Sequence, residues 1–141
     1  MIRLALTTGE PAGIGPEISL KAAEIFLQEN LNVEINLIGD KNLFAKNLHD
    51  RLTVDHISLQ ENVVAGQLNK ANARYVLNTL DQAINGCRSG HYQAMVTAPV
   101  QKSIISESGI KFSGHTEYLA EKCGVSLVVM MLCGKPVFKS D

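Results

Sequence analysis

RLALTTGEPAGIGPE, residues 3–17, is the stretch on which the architecture turns. Arg3 to Thr7 reads as a short strand, and Gly9 to Gly15 (GEPAGIG) as a Gly/Pro loop. Pro16 suits the first turn of a helix, because its missing N–H would have no partner there. The negative charge of Glu17 is favourable at a helix start. Ile18, Ala22, Ile25 and Phe26 recur at helical spacing, which predicts one buried face on a helix running to about Asn30. A strand that passes through a tight loop into a helix is the opening half of a βαβ unit.

Working outward, the same alternation continues. Val33, Ile35 and Leu37 alternate with Glu34 and Asn36 at strand period, and Gly39-Asp40 closes that strand. A short helix is predicted over Lys41 to Leu48 and a strand over Thr53 to Ile57. Asn69 can cap a long helix reaching about Arg88, with Ala73, Val76, Leu77, Leu80, Ala83, Ile84 and Cys87 on its apolar face. Ala94 to Thr97 is a short buried-strand candidate that ends in Ala98-Pro99, and a brief helix follows from about Gln101 to Glu107. Thr116 can cap a helix from Glu117 to about Cys123, with Gly124 at its end. Leu127 to Leu132, wholly apolar, has strand length. Strands alternating with helices predict an α/β layered fold with a mostly parallel sheet and flanking helices. No internal repeat or low-complexity linker interrupts it.

Composition narrows the function classes. The chain has 141 residues, 45% hydrophobic, with a net charge of −1. Its charges are interspersed, so there is no basic footprint for nucleic acid or an anionic membrane. Three Tyr, four Phe and no Trp offer no stacking platform for single-stranded bases. No run approaches the ~20 apolar residues of a membrane span. The three cysteines, Cys87, Cys123 and Cys133, form no CxxC pair, a usage that suits reduced thiols better than a disulfide framework or a zinc site. A soluble, cytoplasmic protein is expected.

Three segments could carry chemistry. The Gly9–Glu17 loop could cradle a phosphate at a helix N-terminus, but it has no Walker A Lys-Ser/Thr and does not fit GxGxxG, so a tight strand-to-helix connection is the simpler reading. Lys102, in Thr97-Ala98-Pro99-Val100-Gln101-Lys102, follows a strand end, where ligands gather in open α/β sheets. It could reach a phosphate or carboxylate there, or lie solvated on a short helix. Ser113-Gly114-His115-Thr116-Glu117 puts an imidazole, a hydroxyl and unpaired backbone N–H groups at a helix start, a combination suited to an anionic group. Its plainer alternative is a capping Thr116 and a surface His115. His49, His56 and His91 have no metal-pair spacing and read as exposed.

Taken in order, GEPAGIGPE, then GQLNKANARYVLNTLDQAINGCRSGHYQAMVTAPVQKSII, then GIKFSGHTEYLAE resemble the 4-hydroxythreonine-4-phosphate dehydrogenases of pyridoxine and pyridoxal phosphate biosynthesis, from about Leu4 to about Leu132. GIGPE is also similar to the isocitrate/isopropylmalate dehydrogenase fold, and the resemblance implies the N-terminal part of that fold, incomplete in its sheet. The first domain would span about residues 1–95, and residues 96–141 would begin a second. The implied activity is the NAD- or NADP-dependent oxidation of 4-phosphohydroxy-L-threonine, aided by a divalent metal (zinc, magnesium or cobalt). The resulting β-keto acid loses carbon dioxide to give 3-amino-2-oxopropyl phosphate. The resemblance further implies a homodimer with its active site in a cleft between domains.

The family's substrate-contacting pair in GHTE falls on His115 and Thr116. Lys102 falls in TxPVxK as a residue that shapes the site, and Gly13 and Gly15 fall on structural positions. The family's three metal-binding histidines lie beyond GHTE, where this chain has no histidine. Val137 to Asp141 does not continue as the apolar strand expected there. No catalytic residue, metal ligand or cofactor ligand is therefore assigned in this chain, which is expected to be inactive alone. The alternative is a non-catalytic phosphate-ester-binding or oligomerisation module derived from such an enzyme. Exposed sheet edges would favour self-association or dependence on further polypeptide.

Overall fold

The computed structural model describes residues 1–44 and 47–134. Four parallel strands, β1 (Ile2–Thr7), β2 (Val33–Gly39), β3 (Leu52–His56) and β4 (Ala94–Thr97), lie in the order β3-β2-β1-β4. Helices α1 (Gly15–Glu29), α2 (Ala73–Arg88), α3 (Lys102–Glu107) and α4 (His115–Cys123) flank the sheet. The register pairs Leu4 with Ile35 and Ala94, and Leu6 with Leu37 and Val96. One face therefore carries Leu4, Leu6, Ile35 and Leu37, and the other Ala5, Ile38 and Met95, as the two-residue period of a strand requires.

Each face has its own core. Ala23 and Leu27 of α1 meet Leu6, Val33, Ile35, Leu37 and Leu52 on the first. On the second, Ala83 meets Ala5, Ile38 and Tyr92. Farther along α2, the residues Ala73, Val76, Leu77, Leu80 and Ile84 join Ile104 and Ile105 of α3, then Phe112, then Tyr118 of α4. Asn69 accepts from Ala71 N at 2.9 Å, capping a 3-10 turn over Lys70–Asn72 that feeds α2. The predicted apolar face of α2 is as expected, and Tyr75 and Thr79 are fully buried as well. The C-terminal turn of α1 has no basic residue of its own. The Arg51 guanidinium supplies one, donating to the carbonyls of Leu27, Asn30 and Val33.

Several expectations are corrected. Ile18, Ala22, Ile25 and Phe26 do not form the buried face of α1; all four are exposed, and Ser19, Ala23 and Leu27 are buried instead. Two apolar rows run along this helix about 100° apart, and the sheet takes the row whose small Ser19 and Ala23 permit close approach. The helix predicted over Lys41 to Leu48 is a 3-10 turn at Lys41–Leu43, with residues 45–46 outside the described residues. Helix α4 begins ahead of Thr116, with Gly114 as its N-cap and no side-chain cap bond, so Thr116 sits inside the first turn. Leu127 to Leu132 forms no strand and is exposed, from 40% at Val128 to 95% at Leu132. Strand propensity is realised only against a partner, and no described strand pairs with this run. Val137 to Asp141 lies outside the described residues.

Candidate functional site

Parallel strands present their carboxyl ends together, and the crevice forms where strand order reverses. Here the chain steps from β1 to β2 to β3 in one direction, and β4 then pairs on the other side of β1. The switch point lies between β1 and β4, so the loops after Thr7 and Thr97 meet there. Glu10 N donates to Pro99 O at 3.0 Å, and Ala98 N to Thr7 O at 3.0 Å. Gly9 has φ +68°, and a Cβ on it would lie 2.2 Å from Pro99 O. Only glycine permits that contact. Gly9 and Gly15, at the two ends of the loop, are thus closed in by backbone, as a tight connection requires.

Two carboxylates at this end of the sheet escaped the sequence reading. Glu10 is 6% exposed, and its Oε1 accepts from Ala12 N at 3.0 Å. Burial raises its pKa above the ordinary value, with the Ala12 N–H opposing. Asp40, after β2, accepts from Leu59 N at 2.9 Å and Asn42 N at 2.9 Å. Burial again acts upward, but those two N–H donors and nearby His56 outweigh it, and its pKa is lowered. The Tyr75 hydroxyl accepts from Asp40 N at 2.9 Å. The one legible hint for Glu10 was a carboxylate two residues ahead of a loop N–H, the spacing of a local side-chain turn.

The predicted site residues follow β4. Lys102 opens α3 and is exposed; His115 and Thr116 open α4 and are half-buried. Lys102 approaches that helix start at Gly114. A Cβ on Gly114 would stand 3.4 Å from Lys102 Nζ and 3.1 Å from Glu117 Oε2, so an ammonium and a carboxylate flank this bare backbone. Burial lowers the His115 pKa, and the Lys102 charge lowers it further, which leaves the imidazole neutral near pH 7. Its Nε2 is shielded from solvent with no hydrogen-bond partner among the described residues, and its ring meets Phe112 edge-on at 6.1 Å. A shielded ring nitrogen without a partner is costly, and a ligand atom at this helix start would relieve it. Lys102 and His115 are distant in sequence, so only the fold could show that they are neighbours. His56 and His49 instead bond backbone, accepting from Lys41 N and Arg51 N at 3.1 Å each.

Residues 10–139 match the family described as pyridoxal phosphate biosynthetic protein PdxA. A 4-hydroxythreonine-4-phosphate dehydrogenase of Chromobacterium violaceum is 47% identical over 93% of this chain and 44% of its own length. One from Vibrio parahaemolyticus is 42% identical over 92% of this chain and 45% of its own. The crystal structure of a 4-hydroxythreonine-4-phosphate dehydrogenase from Burkholderia phymatum superposes with a TM-score of 0.80 at 25% identity, covering 95% of this chain and 47% of that one. A terephthalate 1,2-cis-dihydrodiol dehydrogenase from Burkholderia xenovorans LB400 superposes with a TM-score of 0.72 at 26% identity, covering 88% of this chain and 41% of that one. The chain spans about half the length of the relatives it matches.

Proposed function

Because this chain belongs to the PdxA family, we propose that it supplies the phosphate-gripping half of a 4-hydroxythreonine-4-phosphate dehydrogenase site. In that reaction NAD or NADP, when bound, would supply the oxidising power for the substrate's secondary alcohol, and the β-keto acid formed would lose carbon dioxide. Lys102, His115 and Thr116 take the phosphate ester. The ammonium supplies charge, while the imidazole, the hydroxyl and the first-turn N–H groups of α4 supply donors. The observation that carries this reading is the unpartnered His115 Nε2 at a helix start beside Lys102. Approach of a dianion would raise the imidazole pKa, turning a neutral donor into a charged one.

We assign no metal or cofactor ligand to this chain. No group of three or more His, Cys, Asp or Glu side chains converges among them to hold a metal ion. The role proposed for this chain is binding and orientation. The same reading assigns residues 1–95 to a first domain and residues 96–141 to the start of a second, with a second subunit contributing to the cleft.

Isothermal titration of the chain with 4-phosphohydroxy-L-threonine, its unphosphorylated form, and then NAD and zinc tests the proposal. Binding of the phosphorylated form alone is expected, weakened at least tenfold by either Lys102→Ala or His115→Ala, about the effect of one charge-assisted hydrogen bond. Affinity that ignores both substitutions, or turnover by the chain by itself, would overturn it.

A further inference from the structure

We propose that Asp81 of α2 is a positioning residue for His115, fastening α4 through Tyr118 and Lys122 while Phe112 transmits that anchorage to the imidazole. The proposal rests on the reading that His115 receives the phosphate. Tyr118 Oη donates to Asp81 Oδ1 at 2.7 Å, and Lys122 Nζ lies 3.0 Å from the same oxygen and 3.1 Å from Oδ2. The Lys122 ammonium also sits 5.2 Å from the centre of the Tyr118 ring. His115, Tyr118 and Lys122 stand at i, i+3 and i+7, which places them along one side of α4. The Phe112 ring neighbours the first two, its centre 6.1 Å from that of His115 and 5.5 Å from that of Tyr118.

This clamp matters because so little else holds the helix. Nine residues form α4; Tyr118 is its only fully buried side chain, and Leu119 packs half-buried against the same core. A helix that short is marginal without tertiary support. Burial and Asp81 together hold the Tyr118 phenol well above its ordinary pKa, so it remains a neutral donor to the carboxylate. The Arg88 guanidinium adds one bond from α2, to Lys122 O at 3.1 Å, at the opposite end of α4 from His115. Without Asp81 the first turn would be free to shift against Phe112, and the His115 ring would move with it.

Imidazole NMR of the whole chain reads this directly, with His115→Gln assigning the signal and inorganic phosphate as the anion probe. Asp81→Ala is expected to shift the His115 ring resonances, to raise its pKa as solvent enters, and to weaken phosphate binding about threefold to tenfold. Asp81→Asn keeps an acceptor for Tyr118 and should restore most of the wild-type signal. Tyr118→Phe removes only the hydroxyl and should move the signal in the same direction as alanine, so it decides the question should Asp81→Ala fail to fold. Unchanged His115 resonances and pKa in a folded Asp81→Ala or Tyr118→Phe protein would overturn the proposal. A wild-type chain that ignores phosphate, but whose His115 signal responds to Asp81→Ala, would uphold the positioning role and remove the anion assignment.

Discussion

The two faces of the sheet hold comparable apolar residues but are covered unequally. On the α2 face a continuous core runs from the strands through α2 to α3 and α4, and Val76, Leu77, Leu80 and Ile84 are at most 2% exposed. On the α1 face the helix covers β1, β2 and β3, but β4 stays bare among the described residues. Val96 there is 52% exposed, and an apolar groove of about 350 Å³ runs between it and Ile18, Ala22 and Phe26. Composition does not explain the difference; connectivity does. A right-handed crossover lays its helix over the strands it joins, and α1 joins β1 to β2. Strand β4 is reached from β3 through α2, on the opposite face. Parallel sheets are stable when both faces are covered, so the groove marks where this fold is least satisfied.

The largest expected effect separates adjacent residues of α1. Leu27→Ala empties a fully buried position and should cost about 2–5 kcal/mol in chemical denaturation. Phe26→Ala, one residue away but 42% exposed at the groove, should cost under about 1 kcal/mol. Equal costs would mean that the groove is filled in solution and that the contrast between faces is wrong. Next in size is Gly9→Ala. It places a Cβ against Pro99 O at a positive φ and should cost roughly 1–3 kcal/mol while displacing the Lys102 loop. Wild-type stability in that variant would show that the β1 and β4 loops are not locked together.

These two substitutions also mark what the sequence could and could not disclose. Helix α2 was legible because its apolar residues follow a single helical row. Helix α1 was misread because two rows compete and the choice belongs to the sheet. The apolar run from Leu127 to Leu132 has strand composition, but a strand exists only with a neighbour, and neighbours are tertiary facts. The site divides in the same way. His115 and Thr116 announce themselves in one short segment. The approach of Lys102 to Gly114 and the bond from Tyr118 to Asp81, 37 residues apart, depend on how α2, α3 and α4 pack.

A smaller pair of effects, of opposite sign, tests the closed end of the sheet. The pKa of Glu10 is raised by burial above its ordinary 4.5, so its stabilising contribution is complete below that value and is lost as pH rises through the folded pKa. Glu10→Gln, which can still accept from Ala12 N, should therefore raise the denaturation midpoint at pH 7 and change little at pH 3. Asp40 is lowered below its ordinary 3.8, so its contribution is present above that value and fades as pH falls through the folded pKa. Asp40→Asn should lower the midpoint at pH 7, with the difference from wild type shrinking on acidification. The same sign for both variants would contradict the burial of Glu10 or the hydrogen bonds of Asp40.

The smallest expected change is the sharpest probe of the open face. Val96→Lys introduces a charge on β4 beside Ile18 and Phe26, where a covered site would make an unpaired ammonium cost several kcal/mol. With Val96 already half exposed, the longer side chain can lay its methylenes along the groove and keep its charge in water. The midpoint in denaturant should then move by less than about 0.5 kcal/mol. Lysine on an edge strand also discourages edge-to-edge pairing, so repeating the measurement across protein concentrations separates two causes of any larger loss. A cost that persists at every concentration would place a segment of the same chain over β4. A cost that grows with concentration would place a second copy there.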